Sequence, residues 1–359
     1  MVVFSIDPTC PATVKELLIH ATTTGVNRRR ILPGILVLAL SLPLAACGGG
    51  ETGGGKEDTG GKGETTQQAA ASSTESYVLP GEEVYPEGIT YRPETGEFFV
   101  GSTTDGTVFR GIVGGGEAET FLEPGGDGRS TAVGMKVDDQ GRLFIAGGDT
   151  GGIFVYRSDT GDLIRALETP ESEMAFINDV TVTPNGDAYF TDSMRPTLFR
   201  VPSTPDGEVG EAETWLDFEG TPIEYQEGFN LNGIVASEDG RYLIVTQSNT
   251  GNLYRIDTQS REVTQIDLGG ETVQGDGMLL DGLTLYAVRG QDGTIVPVEL
   301  SEDFASGEVG EEFADPSFAR PTTIAKYDNR LLVVNSQFDR RQSGESPELP
   351  FTVSDIAIP

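Results

Sequence analysis

PEGITYRPETGEFFVGS, residues 86–102, reads as a strand, a tight turn and a second strand. The same plan returns five times, as AVGMKVDDQGRLFIAGG (132–148), INDVTVTPNGDAYFTDS (177–193), LNGIVASEDGRYLIVTQS (231–248), GDGMLLDGLTLYAVRG (275–290) and PTTIAKYDNRLLVVNSQ (321–337). The third residue of each copy falls at 88, 134, 179, 233, 277 and 323, steps of 44 to 54 residues. The turns contain PETG, DDQG, TPNG, SEDG and a bare Asp281-Gly282, in which Gly supplies the positive φ a hairpin needs. A period in the mid-forties with four short strands per unit is the pattern of a β-propeller blade. Third strands follow at 107–111, 152–157, 197–201, 252–256 and 294–300, and fourth strands at 117–123, 211–217 and 262–267. For blades two and five the fourth-strand candidates are 161–168 and the stretch near 307–313. The sixth repeat offers only FTVSDIAI (351–358) after its hairpin, so SYVLP (76–80) is expected to close the ring as its missing strand. The fold expected is all-β, a six-bladed β-propeller with four antiparallel strands per blade. A sandwich fits the outer strands alone but not six regular repeats.

The second residue of each copy forms a series: Glu87, Val133, Asn178, Asn232, Asp276 and Thr322. Inner strands of a propeller run in one direction, so their N-terminal ends share one mouth. Glu87, Asn178, Asn232 and Asp276 would meet there, and a cluster of carboxylate and amide oxygens suits a hard cation. Ca2+ is the first choice, with Mg2+, Mn2+ or Zn2+ as alternatives and waters completing the shell. The bland alternative is that these residues only hydrogen-bond the channel mouth or hold a structural ion.

The chain has 359 residues and a net charge of −33. That balance argues against nucleic acid as a partner, because phosphate contacts need Lys and Arg. A solvated surface is its simplest use. Arg28, Arg29 and Arg30 precede an apolar run, residues 31–45, too short for a comfortable membrane span. The run ends in Leu44-Ala45-Ala46-Cys47, which resembles a bacterial lipoprotein signal. The resemblance implies export, lipidation of Cys47 and attachment to the membrane through that lipid alone, on the periplasmic or cell-surface side. An ordinary signal peptide with an incidental Cys is the alternative. Residues 1–46 are thus read as a signal peptide, with 1–25 as a doubtful upstream extension. Residues 47–75 are the lipidated Cys and a Gly-rich tether with almost no apolar residues, too few to form a core, and 76–359 are the propeller. The single His, His20, and both Cys, Cys10 and Cys47, precede the propeller. Histidine-dependent hydrolases and His-ligated zinc, copper or iron sites are therefore excluded within it.

Four motifs, Pro86-Glu87-Gly88, Asn178-Asp179, Asn232-Gly233 and Asp276-Gly277-Met278, open blades one, three, four and five. In those blades and at that spacing, the chain resembles the senescence-marker-protein, gluconolactonase and luciferin-regenerating-enzyme family across about residues 76–359. The resemblance implies one divalent metal held by Glu87, Asn232 and Asp276. It implies that Asn178 binds substrate or a metal-bound water and that Asp276 is the catalytic proton donor or acceptor. The implied activity is hydrolysis of a lactone or ester, with a small molecule as partner; a monomer is the expected working unit, though no residue pattern specifies it. Two departures stand out. Sugar-lactone members carry Arg two residues before the blade-three Asn, where this chain has Phe176. They carry an acid on the rim of that blade where this chain has Asp192-Ser193-Met194-Arg195-Pro196. The aldonolactone pocket is thereby put in question, and Arg195 becomes a candidate reader of a different, anionic substrate, with a plain surface residue as the alternative. A non-catalytic metal-containing propeller that binds an extracytoplasmic ligand is the competing reading. A carbon–carbon bond former of the strictosidine-synthase kind ranks last.

Overall fold

The computed structural model describes residues 75–170, 174–203, 206 and 208–359. The signal peptide, Cys47 and the tether up to residue 74 lie outside the described residues. Strand β1 (Glu75–Leu79) precedes blade one, which is β2 (Pro86–Arg92), β3 (Glu97–Ser102), β4 (Val108–Ile112) and β5 (Glu119–Leu122). Blade two is β6 (Met135–Val137), β7 (Arg142–Ala146), β8 (Gly152–Arg157) and β9 (Leu163–Glu168). Blade three is β10 (Ile177–Val182), β11 (Ala188–Asp192), β12 (Thr197–Val201) and β13 (Glu213–Asp217). Blade four is β14 (Leu231–Ala236), β15 (Tyr242–Gln247), β16 (Asn252–Asp257) and β17 (Val263–Gln265). Blade five is β18 (Met278–Asp281), β19 (Thr284–Arg289), β20 (Thr294–Leu300) and β21 (Gly307–Val309). Blade six is β22 (Pro321–Tyr327), β23 (Arg330–Asn335) and, after the short helix α1 (Phe338–Ser343), β24 (Phe351–Ala357). Each blade is a four-stranded antiparallel sheet in sequence order, and β1 stands at the outer edge of the sixth. β1 pairs with β24 from Glu75↔Asp355 to Leu79↔Phe351. It also reaches blade one, where Val78 N donates to Gly116 O at 3.0 Å and Ala118 N to Val78 O at 2.9 Å.

The middle strands are apolar on both faces because every sheet is sandwiched between two others. In β3, Phe98 and Val100 join Leu332, Val334 and Val353 of blade six. Phe99, pointing the other way, joins Leu143 and Ile145 of blade two. One such cluster fills each of the six interfaces between blades. Each buried Phe or Leu contributes about 1.5–3 kcal/mol, so closure is driven mostly by these interfaces. The innermost strands neighbour one another in the order β2, β6, β10, β14, β18, β22 and back to β2, enclosing a channel.

Candidate metal centre

The mouth of the channel is shaped by one repeated irregularity. The ladder between first and second strands slips between Pro86 and Ile89, Ile177 and Val180, Leu231 and Ile234, and Pro321 and Ile324. A bulge leaves two residues without ladder partners and turns the strand. Those pairs are Glu87-Gly88, Asn178-Asp179, Asn232-Gly233 and Thr322-Thr323. In blades two and five the equivalent residues stand just before β6 and β18. Freed from their own ladders, the bulges bond sideways. Gly134 N donates to Asn178 O at 2.8 Å, Gly233 N to Asp276 O at 3.1 Å and Gly277 N to Thr322 O at 2.8 Å. Thr191 Oγ1 donates to Asn232 O at 2.7 Å and Thr322 Oγ1 to Glu87 O at 2.9 Å. This belt needs close backbone approach: a Cβ on Gly134 would lie 2.3 Å from Asp179 Oδ1, and one on Gly233 2.4 Å from Asp276 O.

Glu87, Asn178, Asn232 and Asp276 all stand on this belt. Glu87 is buried; Oε1 accepts a long 3.4 Å bond from Thr323 Oγ1 and Oε2 has no partner. Asn178 donates Nδ2 to Ser193 Oγ at 2.8 Å, and its Oδ1 has no partner. Ser193 Oγ spends its own proton on Leu231 O at 2.6 Å, so it can only accept from Asn178. The amide is thereby held with its oxygen free. Asn232 repeats the device: Nδ2 donates to Asp276 Oδ1 at 2.7 Å and Oδ1 is left bare. Three buried side-chain oxygens without partners on one belt is an unusual concentration, since such groups are normally hydrogen-bonded.

The electrostatics carry the same message. Burial pushes the Glu87 carboxyl well above its usual range, and the charges of Asp276 and Asp179 add to the shift. Burial likewise pushes Asp276 up to about 7, with Asp179 adding and the Asn232 bond and Arg320 opposing. Asp179 is pushed up to about 6 by burial, against backbone bonds from Val180 and Ile234 and the charge of Lys136. Three carboxylates thus share a site short of positive charge. A divalent cation meets that need, and the oxygen donors fit a hard ion. Among the described residues no three His, Cys, Asp or Glu side chains form a metal-binding group, and here two carboxylates and two amides make up the set.

Asp179 and Arg320 are additions to the sequence-derived set. Asp179 bridges two blades, Oδ1 accepting from Val180 N at 2.8 Å and Oδ2 from Ile234 N at 3.1 Å. Arg195 lies on the rim, but its guanidinium is engaged. Nε pairs with Asp192 Oδ2 at 2.6 Å, Nη1 donates to Pro170 O at 2.7 Å and Nη2 to Thr169 Oγ1 at 2.9 Å, with the group stacked over Phe199. That geometry braces the blade-three rim. A cavity of about 440 Å³ lies in the channel beyond the belt, lined by Lys136, Val182, Ala236 and Leu280, and it touches the site only at Asp179 and Thr323.

No family model matches the chain. Lactonase drp35 of Staphylococcus epidermidis is 31% identical over 188 residues, 51% of this chain and 54% of that protein. The chain therefore spans about half the length of the curated relatives it matches. Among solved structures, the calcium-binding protein regucalcin of Agrobacterium tumefaciens superposes with a TM-score of 0.54 at 18% identity, over 78% of this chain and 96% of that one. A gluconolactonase of Xanthomonas campestris gives 0.54 at 15% identity, over 77% and 87%. At those identities the structures speak for the fold alone. The lactonase relatives, the six blades and the motifs that open blades one, three, four and five agree in making this chain similar to the senescence-marker-protein and gluconolactonase-like six-bladed propellers.

Proposed function

We propose that this chain is a divalent-metal-dependent hydrolase of a lactone or ester. It would be exported and held at the outer side of the cell membrane by a lipid on Cys47. The observation that carries the reading is the set of three unpartnered buried oxygens, Glu87 Oε2, Asn178 Oδ1 and Asn232 Oδ1, around the acidic Asp276. Glu87, Asn232 and Asp276 would hold the ion, Ca2+ first. A bound divalent cation supplies positive charge against the negative charge that develops on a carbonyl oxygen under attack.

The chain's own groups divide the remaining work. Asp276 Oδ1 is occupied by the Asn232 amide, which leaves Oδ2 as the proton acceptor. Oδ2 takes a proton from the attacking water as its oxygen bonds to the carbonyl carbon. The same proton then passes to the leaving alkoxide as the ring C–O bond breaks, giving a hydroxy acid. Asn178 presents an acceptor oxygen, because its N–H group is spent on Ser193, so it would orient a water or bind the ion rather than donate to a carbonyl. Burial of the belt keeps these groups in place before substrate arrives.

The test is lactone opening by chelator-stripped protein titrated with Ca2+, Mg2+, Mn2+ and Zn2+, against Asp276→Asn. Turnover that returns with metal and is lost in the variant supports the proposal. Thermal stabilisation by metal with no turnover on any lactone or ester refutes it and favours the binding propeller.

A further inference from the structure

The mouth is not uniform around its circumference. Blades five, six and one bring Asp276, Arg320 and Glu87. Blades three and four add exposed apolar side chains to it. Among the described residues seven large apolar side chains are exposed, and three of them, Met174, Met194 and Phe229, stand on the loops that enter or leave the mouth at blades three and four. Phe229 is 48% exposed and Met194 45% exposed. Ile112, Leu163, Leu283 and Leu349 lie singly on four different blades, as scattered surface apolar residues do. Two of the three, Met194 and Phe229, are linked to Phe176 by main-chain bonds of their neighbours. Ser193 N donates to Phe176 O at 2.9 Å and Asn230 N to Ser193 O at 2.9 Å, which sets Phe176, Met194 and Phe229 on adjacent turns. The rings of Phe176 and Phe229 meet edge to face, centroids 4.8 Å apart. Asn178, two residues from Phe176 and bonded to Ser193, lies at the foot of this ledge.

An aromatic pair, Phe229 exposed and Phe176 half-buried, beside a buried polar centre has a physical cost in water unless something apolar covers it. We infer that the ledge of Phe176, Phe229 and Met194 receives an apolar substituent of the substrate, so that the substrate class is an alkyl- or aryl-substituted lactone or ester rather than a polyhydroxylated sugar lactone. The inference rests on the hydrolase reading for the word substrate, and on the ledge alone for the apolar preference. The carbonyl faces the carboxylate sector and the substituent lies across blades three and four. Sugar hydroxyls placed there would lose water without gaining a partner.

The experiment is a series of γ-lactones with side chains from methyl to octyl, with glucono-1,5-lactone beside them, opened by the full chain in saturating Ca2+. A fully buried methylene is worth about fourfold in affinity, and a ledge that covers one face about half that in free energy, so kcat/KM should rise about twofold per methylene over the first four to six carbons. Phe229→Ala should flatten that slope to about half. Leu163→Ala, on an outer strand of blade two, should keep the wild-type slope. Calorimetric binding of the same lactones to chelator-treated protein reads the ledge without turnover. Binding that rises with chain length and weakens in Phe229→Ala supports the ledge even if no lactone is opened, in which case only the hydrolase reading falls. Rates and affinities flat with chain length, or slopes equal in wild type and Phe229→Ala, overturn the inference while leaving metal-dependent opening of short lactones intact.

Discussion

Replacing Asp276 by Asn should make the metal-free protein more stable and the metal-loaded protein less so. Burial moves the Asp276 carboxyl from its ordinary 3.8 to about 7. A raised native value means that the native state retains a proton the unfolded chain has already lost. Stability is therefore full below about pH 4 and is lost as pH rises through about 7, after which the loss is constant. At about 1.4 kcal/mol per tenfold change in proton affinity, the gap bounds the loss at about 4 kcal/mol. Solvent reaches Asp276 through the mouth, so about 2–3 kcal/mol is the working figure. Asn removes the charge and keeps an oxygen to accept from Asn232 Nδ2. In chelator at pH 8 the variant should melt about 4–10 °C above wild type, with the difference shrinking toward zero at pH 4. Addition of Ca2+ to 100 times its Kd should raise wild type by about 2.7 kcal/mol and the variant by far less, reversing their order. Scanning calorimetry at pH 4, 6 and 8, with chelator and with Ca2+, reads all of this. A variant that melts below wild type in chelator at pH 8, or a difference independent of pH, would refute the reasoning that a frustrated carboxylate awaits a cation.

Gly233→Ala forces a Cβ to 2.4 Å from Asp276 O and should cost about 3 kcal/mol or more while abolishing metal-induced stabilisation, as read by melting with and without Ca2+. Ser193→Ala releases the Asn178 amide to rotate; metal affinity by calorimetry should fall about 10- to 100-fold, with a stability loss of only about 1–2 kcal/mol. Arg195→Ala leaves the fully buried Asp192 carboxylate without its cation and should cost about 3 kcal/mol in urea unfolding, with substrate affinity changing little. Deleting residues 75–79 bares the edge of β24 and strips Tyr77 from Asp355, so the shortened protein should associate in light scattering and melt lower.

The inner hairpins were legible because two constraints coincide in them. Each must be apolar on both faces to sit between sheets, and each needs an Asx-Gly or similar turn at its tip. Outer strands carry neither constraint. Blade five ends in a strand of three residues, Gly307–Val309, and in blade two most of Leu163–Glu168 is only partly covered, so periodicity locates them only loosely. The helix Phe338–Ser343 has no apolar stripe and no signal in the repeat. In the site, the series of second residues led to Glu87, Asn178, Asn232 and Asp276 because one step of every repeat falls at the mouth, as a bulge in four blades and just before the first strand in blades two and five. Asp179 had a signal too: it stands where four of the six copies have Gly. Used only as a ruler, that step did not reveal a carboxylate beneath the mouth. Arg195 shows the opposite limit. A guanidinium on a rim is visible in sequence, but whether its donors are free depends on Asp192, Thr169 and Pro170, which only folding brings to it.

The choice of two amides and two carboxylates follows from the belt itself. Glu87 and Asp276 already raise one another's cost, and Asp179 sits behind them with both oxygens committed to backbone N–H groups. A carboxylate at 178 or 232 would add like charge to a crowded, mostly buried ring before any cation arrived. An amide supplies an oxygen dipole without that charge, but it can present the wrong end. This chain removes the ambiguity twice, by giving each N–H group an acceptor that cannot itself donate: Ser193 Oγ, whose proton is used on Leu231 O, and the Asp276 carboxylate. The second lock is conditional. If Asp276 is protonated at Oδ1, that oxygen becomes a donor as well, and the Asn232 amide can turn to accept from it, so the orientation of its oxygen is no longer unique. The charge that would hold the cation is therefore the charge that orients a neighbouring ligand, and metal binding should be cooperative with Asp276 ionisation rather than merely additive.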